Sequence, residues 1–218
     1  MFDFFKNFNK KKESVMFTMR FFVILTVLLC AHSSYAWHTA DFFQHTVRKG
    51  DTLAKLVPEH QWLLVQKVNR IDFRHLPLGE NILLPRWSGL TLQDIAPPVD
   101  IVAPALIYDA RGIVIYINLQ YFGAYEYGRL KYWGPVSTGK NDSTPRGRFF
   151  VQWKCKDYVS RKYYSAMPFS VAYDSAGYFL HQQSLTGKPA SHGCTRLLME
   201  DAQWIFYWLR KGDLIMII

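Results

Sequence analysis

The chain has 218 residues, 50% of them hydrophobic, 17% aromatic and 20% charged, with a formal net charge of +9. That composition is globular, and it excludes disordered, collagen-like and low-complexity classes. The three cysteines are too few for a disulfide scaffold and have no zinc-ligand spacing, and no apolar run reaches the roughly 18 residues of a spanning helix.

Lys10, Lys11, Lys12 and Arg20 precede an unbroken apolar stretch from Phe21 to Ala31, and Ser34-Tyr35-Ala36 follows it. A basic region, a short apolar region and a small-x-small site predict a secretory signal peptide over residues 1–36, and hence an exported protein of the cell envelope. These residues hold five basic and two acidic side chains, so the remainder carries +6. Its Lys and Arg are scattered, and export argues against a nucleic-acid partner. Removal of Cys30 with the leader leaves Cys155 and Cys194. Cys155 reads as a half-buried free thiol in a strand.

Residues 45–86 read as strand, helix, helix, strand. His45-Thr46-Val47 alternates, Lys49-Gly50-Asp51-Thr52 turns, and Asp51 is placed to cap a helix from Thr52 to Val57. Pro58 ends that helix, and Trp62, Leu64, Val65 and Val68 predict an apolar face on a second one. Pro77-Leu78-Gly79 turns into a buried strand, Asn81 to Leu84. The pattern Gly50-Asp51-Thr52-Leu53, Asn69, Leu78-Gly79-Glu80 and Ile82-Leu83-Leu84-Pro85 resembles a LysM domain. The resemblance implies binding to N-acetylglucosamine-containing glycan strands, with Gly50, Asp51, Thr52 and Asn69 as the candidate glycan contacts.

Residues 87–104, with Pro97-Pro98 and Pro104, read as a semi-rigid linker docking onto a second domain. From Ala105 the pattern is mainly β. Strands are expected at Ile113–Ile117, Tyr121–Tyr127, Leu130–Ser137, Phe149 to Trp153 and Leu214–Ile218, with a hairpin turn at Gly128-Arg129 and one helix over Asp201–Leu209. Several short strands with one late helix predict a β-sandwich or barrel-like domain over residues 105–218.

The chemistry-bearing stretch runs from His181 to Arg196. Cys194 stands two residues after His192 and thirteen after His181. A thiol with imidazole neighbours is a candidate nucleophile. In an extended strand His192 and Cys194 would share a face. Gly193 gives a substrate carbonyl room to approach backbone amides, and Arg196 is suited to a carboxylate.

Ser191-His192-Gly193-Cys194-Thr195-Arg196-Leu197 resembles the signature of the L,D-transpeptidase catalytic domain, the YkuD family. Pro135 to Lys140, Thr144 to Phe149, Met167-Pro168-Phe169 and Gly177 to His181 extend the resemblance in order. It implies that Cys194 attacks the L,D peptide bond of a peptidoglycan stem tetrapeptide in the periplasm, releasing D-alanine and leaving a thioester. An amine of a second stem, or in some relatives a lysine of an outer-membrane lipoprotein, then takes the acyl group. His181 is implied as general base and His192 as a neighbour that supports or orients the Cys194 sulfur, with the amides of Gly193 and Cys194 as candidates for the oxyanion hole. Arg196, Ser191, Met167, Phe169 and Gln182 are implied to meet substrate. Gln182 and Thr195 depart from the family's usual glycine and aliphatic residue. No cofactor or metal is implied. The alternatives are an L,D-carboxypeptidase or cross-link hydrolase using water, and a non-catalytic peptidoglycan-binding protein.

Overall fold

The computed structural model describes residues 40–218, and the leader expected over residues 1–36 lies outside them. β1 (Phe42–Thr46) and β2 (Asn81–Pro85) pair antiparallel, from Phe42 opposite Pro85 to Thr46 opposite Asn81. Between them lie α1 (Leu53–Leu56), a 3-10 turn (Glu59–Gln61) and α2 (Trp62–Asn69). Asp51 does not cap α1. Thr52 holds the N-cap position without a side-chain bond. The Asp51 carboxylate instead accepts the Arg48 N–H and His45 Nε2, both at 2.8 Å, and these two bonds hold its pKa below the usual range.

An amphipathic α2 would bury one face, yet five consecutive residues, Leu64 to Val68, are buried. The helix is covered from two sides. Val65 packs with Val47, Ile71, Ile82 and Leu84. Leu64 and Val68 pack with Leu90, Ile95 and Val99 from the linker segment and with Tyr121 and Trp133 from the large sheet. Between these surfaces lies an ion pair, Lys67 Nζ to Asp201 Oδ1 at 2.9 Å, with both side chains at 0% exposure. Lys67 also donates to the Trp133 carbonyl at 2.6 Å and sits 4.1 Å above the Tyr132 ring. Tyr132 donates its hydroxyl to Asp201 at 2.8 Å. Burial raises the Asp201 carboxyl above the usual range, with Lys67 and Tyr132 opposing it.

The large sheet is built from β3 (Gly112–Tyr116), β4 (Tyr121–Glu126), β5 (Arg129–Ser137), β6 (Gly147–Phe150), β7 (Trp153–Ser160), β8 (Ser165–Ala172), β9 (Phe179–Gln182), β10 (Thr195–Leu197) and β11 (Leu214–Ile217). Their spatial order is β6-β11-β3-β4-β5-β10-β9-β8-β7. β4 and β5 are joined through Tyr127 (φ 46°) and Gly128 (φ 72°), a two-residue turn of the kind that matches strand twist. The single strand expected from Phe149 to Trp153 is in fact the end of β6 and the start of β7, which occupy opposite ends of the sheet order. Only Val151 and Gln152 separate them, so the sheet must curl until its two ends meet. α3 (Met199–Trp208) closes the interior, where Ala202, Ile205 and the following Leu209 pack with Phe122, Val136, Leu180 and Leu197.

Candidate active site

β9 and β10 pair in parallel, with His181 beside Arg196, and β10 pairs antiparallel with β5, with Arg196 beside Ser137. Phe179 and His181 lie on one face of β9, and Leu180 turns into the core. The segment before β10 is a bend and not the extended strand expected for His192 to Cys194, because Gly193 has φ 135°. A Cβ at Gly193 would meet Tyr178 Cε1 at 2.5 Å and the Ser143 carbonyl at 3.0 Å, so both conformation and space demand glycine.

A relay of hydroxyls holds this bend. Thr144 Oγ1 accepts the Gly139 N–H at 2.8 Å and donates to the Gly193 carbonyl at 2.7 Å. The Thr138 carbonyl accepts the N–H groups of Ala190 and Ser191, while Gln120 bonds Thr138 through both its hydroxyl and its amide. Ser191 Oγ accepts the Gly193 N–H at 2.9 Å and donates to the Cys194 carbonyl at 2.5 Å. The Gly193 N–H, one of the two amides expected at an oxyanion hole, is thus bonded within the loop to Ser191 Oγ. Ser191, expected to meet substrate, spends its hydroxyl bracing the loop. Sequence reasoning gave Gln120, Thr138 and Thr144 no role, since a buried hydroxyl or amide has no periodic signature.

Cys194 is a half-buried free thiol whose Sγ lies 3.9 Å from the Gly177 carbonyl. Burial pushes its pKa up, against the Phe179 backbone N–H and Arg196. His181 is 4% exposed, and its Nδ1 lies 2.8 Å from the Gln182 carbonyl. A carbonyl only accepts, so Nδ1 carries the proton and Nε2 keeps its lone pair. Burial pulls the His181 pKa down to about 4, with Arg196 acting in the same direction and the Gln182 carbonyl opposing. The resting pair is therefore a neutral thiol and a neutral imidazole.

Both groups line a cavity of about 310 Å³ together with His192, Arg196, Met167 and Gln183. The exposed His192 ring stacks on Tyr163 of the β7–β8 tip, with centroids 4.7 Å apart and planes within 11°. Arg196 is half-buried and its guanidinium makes no hydrogen bond or ion pair among the described residues, which leaves a cation free for an anionic group. A second cavity of about 350 Å³ reaches Cys194 from the other side of Tyr163, lined by Trp153, Arg161, Lys162 and Asp174 among others. No group of three or more metal-ligating side chains forms among the described residues.

Two of the expected pocket residues lie elsewhere. Phe169 has φ 54°, which breaks the alternation of β8 and sends its ring into the core against Phe206 of α3 at 5.6 Å. Gln182 lines a separate cavity and acts here through its carbonyl. In the N-terminal segment, Asn69 donates to the Val65 and Leu83 carbonyls and accepts the Leu83 N–H, clamping α2 to β2. Its amide is spent on these internal ties and Asp51 Oδ2 on His45 and Arg48, whereas Gly50 and Thr52 are exposed.

Residues 110–217 match the family model of YkuD, the L,D-transpeptidase catalytic domain. A Bacillus subtilis (strain 168) protein, YciB, whose name places it among the L,D-transpeptidases, is 32% identical over 82 residues, 31% of this chain and 42% of the relative. The L,D-transpeptidase of Mycobacterium smegmatis superposes with a TM-score of 0.47 at 23% identity, over 50% of this chain and 59% of that one. The L,D-transpeptidase of Stackebrandtia nassauensis also gives 0.47, at 24% identity over 50% and 55%. This chain thus spans less than half of the curated relative and under two thirds of these structures.

Proposed function

With residues 110–217 taken as a YkuD-type L,D-transpeptidase catalytic domain, we propose that this protein is an exported cysteine acyltransferase acting on peptidoglycan stem peptides. The observation that carries the reading is one cavity lined by both a free, half-buried Cys194 and a buried His181 whose Nδ1–H is fixed on the Gln182 carbonyl.

In this reading Nε2 of His181 takes the Cys194 proton as Sγ attacks the carbonyl of the L,D peptide bond. Because both groups rest neutral, proton transfer accompanies attack and no thiolate is stored beforehand. The Cys194 N–H faces the developing oxyanion. Collapse breaks the C–N bond, the imidazolium returns its proton to the departing D-alanine amine, and a thioester remains. An incoming amine gives its proton to His181, forms the new amide and releases the thiol. Arg196 holds a stem carboxylate, Met167 lines the donor path and His192, stacked on Tyr163, borders it. The resemblance of residues 45–86 to LysM supports glycan contact through the exposed Gly50–Thr52 turn.

The test is incubation of the protein with purified tetrapeptide muropeptides, read by mass spectrometry. A cross-linked dimer with loss of D-alanine is the expected result. Tripeptide alone would mean that water is the acceptor. Absence of any product or thioester would favour a wall-binding protein without catalysis.

A further inference from the structure

The loop from Gln183 to Ala190 joins the strand of His181 to the bend of Cys194. Its two ends are tied within the large sheet, by the Gln183 N–H to the Leu197 carbonyl and by the Ala190 N–H to the Thr138 carbonyl. Its middle is held by the N-terminal segment. Ile71 and Thr186 form an antiparallel bridge, and the Gly187 N–H donates to the Arg70 carbonyl at 2.9 Å. The Asp72 N–H donates to the Leu185 carbonyl at 3.2 Å, and Asp72 Oδ2 accepts the Leu185 N–H at 2.9 Å. Leu185 and Ile71 are buried at this seam. The Asp72 carboxylate is itself fixed, accepting the Arg74 N–H at 2.8 Å and His75 Nδ1 at 2.7 Å.

Beneath the seam is a cavity of about 440 Å³, lined on one side by Gln66, Asp72 and Arg74 and on the other by Gln182, Gln183 and Glu200. Gln183 also lines the cavity of Cys194 and His181. It is thus the wall between the two spaces, and it stands two residues from the Asp72 bond. The catalytic pair does not depend on that bond, because Cys194 is braced by Ser191, Thr144 and Thr138, and His181 by the Gln182 carbonyl.

We propose that Asp72 is a positioning residue that sets how the Cys194 thioester divides between an amine acceptor and water. The inference rests on the acyl-transfer reading of Cys194 and His181. Gln183 is also held by its N–H on the Leu197 carbonyl and by its amide on Ser165 Oγ at 3.3 Å and the Ala166 carbonyl at 3.5 Å, while its Oε1 accepts the Ser184 N–H of the loop. Freeing Leu185 loosens this wall at its Ser184 side and opens a further path for water, from the second cavity to the thioester. Both fates balance. The amine gives an amide and the free thiol, while water gives a carboxylic acid and the same thiol.

The experiment uses the whole protein with a tetrapeptide donor and a tripeptide-stem acceptor, and measures the ratio of amide to acid product by mass spectrometry. Asp72→Ala is expected to lower that ratio about tenfold, the lower end of what one lost hydrogen bond to a charged group corresponds to. Alkylation of Cys194 by iodoacetamide stays at the parent rate. Asp72→Asn keeps one oxygen acceptor for Leu185 and gives a smaller shift in the same direction, which carries the test should the alanine variant not fold. A destabilised fold would lower both products together and leave the ratio unchanged. An unchanged ratio in folded variants of a protein that does turn over overturns this inference alone. Absence of product from the parent protein overturns the acyl-transfer reading, and this inference with it.

Discussion

Replacing Lys67 by Met removes the cation from a carboxylate that has no other access to charge compensation. Both partners are at 0% exposure, and Asp201 Oδ2 is buried without a hydrogen bond. The remaining support for Asp201 is the Tyr132 hydroxyl on Oδ1. Gly134 has no side chain because a Cβ there would collide with Asp201 Oδ2. A solvent-exposed pair would be worth under about 1 kcal/mol, but stranding a buried partner costs about 3–5 kcal/mol. For a chain of this size roughly 2–4 °C accompany each kcal/mol, so Lys67→Met should lower the melting temperature by about 6–20 °C. Asp201→Asn should cost a similar amount by stranding the ammonium against the Trp133 carbonyl and the Tyr132 ring. The double variant removes both charges and keeps the Tyr132 bond, and it should recover more than about 2 kcal/mol of the summed loss. Urea unfolding at pH 7, fitted with a common slope, gives the four free energies. Single-variant losses below about 1 kcal/mol, or strictly additive losses, would refute the claim that this pair joins the N-terminal segment to α3.

Three further outcomes are expected of the site and of the N-terminal segment. The folded pKa of His181, about 4, lies below its ordinary 6.5, so the unfolded chain binds the proton first as pH falls. Its contribution to stability is whole above pH 6.5, falls by about 1.4 kcal/mol per unit down to about pH 4, and is flat below that. The difference in unfolding free energy between the parent and His181→Gln should show that slope, and a flat difference would contradict a neutral buried imidazole. Iodoacetamide labelling of Cys194 should still be rising at pH 9, since burial holds the thiol above the usual range. A plateau already reached at pH 6 would reveal a stored thiolate–imidazolium pair instead. Asn69→Ala should cost about 1–3 kcal/mol in stability by leaving the Leu83 N–H and carbonyl unpaired at the α2–β2 contact. Loss of sacculus binding without loss of stability would return Asn69 to a glycan-contacting role.

What the sequence made legible was local. The alternation and turn chemistry of residues 112–137, the helix before Gly212 and the apolar return at Leu214 each arise from neighbours a few positions apart. The Cys194 and His181 stretch was legible because its residue types are rare in combination. Features decided by partners far along the chain were not. Lys67 carries no local signal of burial, and its contact with Asp201, 134 positions on, makes it a core residue. Phe169 is expected beside Met167 at the substrate, and a single left-handed backbone angle turns it into the core. The Gly193 amide looks free until Ser191 Oγ is placed on it. The break at Val151-Gln152 is silent in the sequence because both sides are equally β-like, while the curl that requires it belongs to the whole sheet.

β11 lies second in the sheet, paired in parallel with β3 on one side and antiparallel with β6 on the other. Its residues, Leu214 to Ile217, lie about a hundred positions after β3 in the chain. A growing chain therefore carries β3 and β6 with unmet backbone groups until residue 217 has emerged. Losing these four residues would leave two strand edges open to other chains and make such a truncation prone to aggregate.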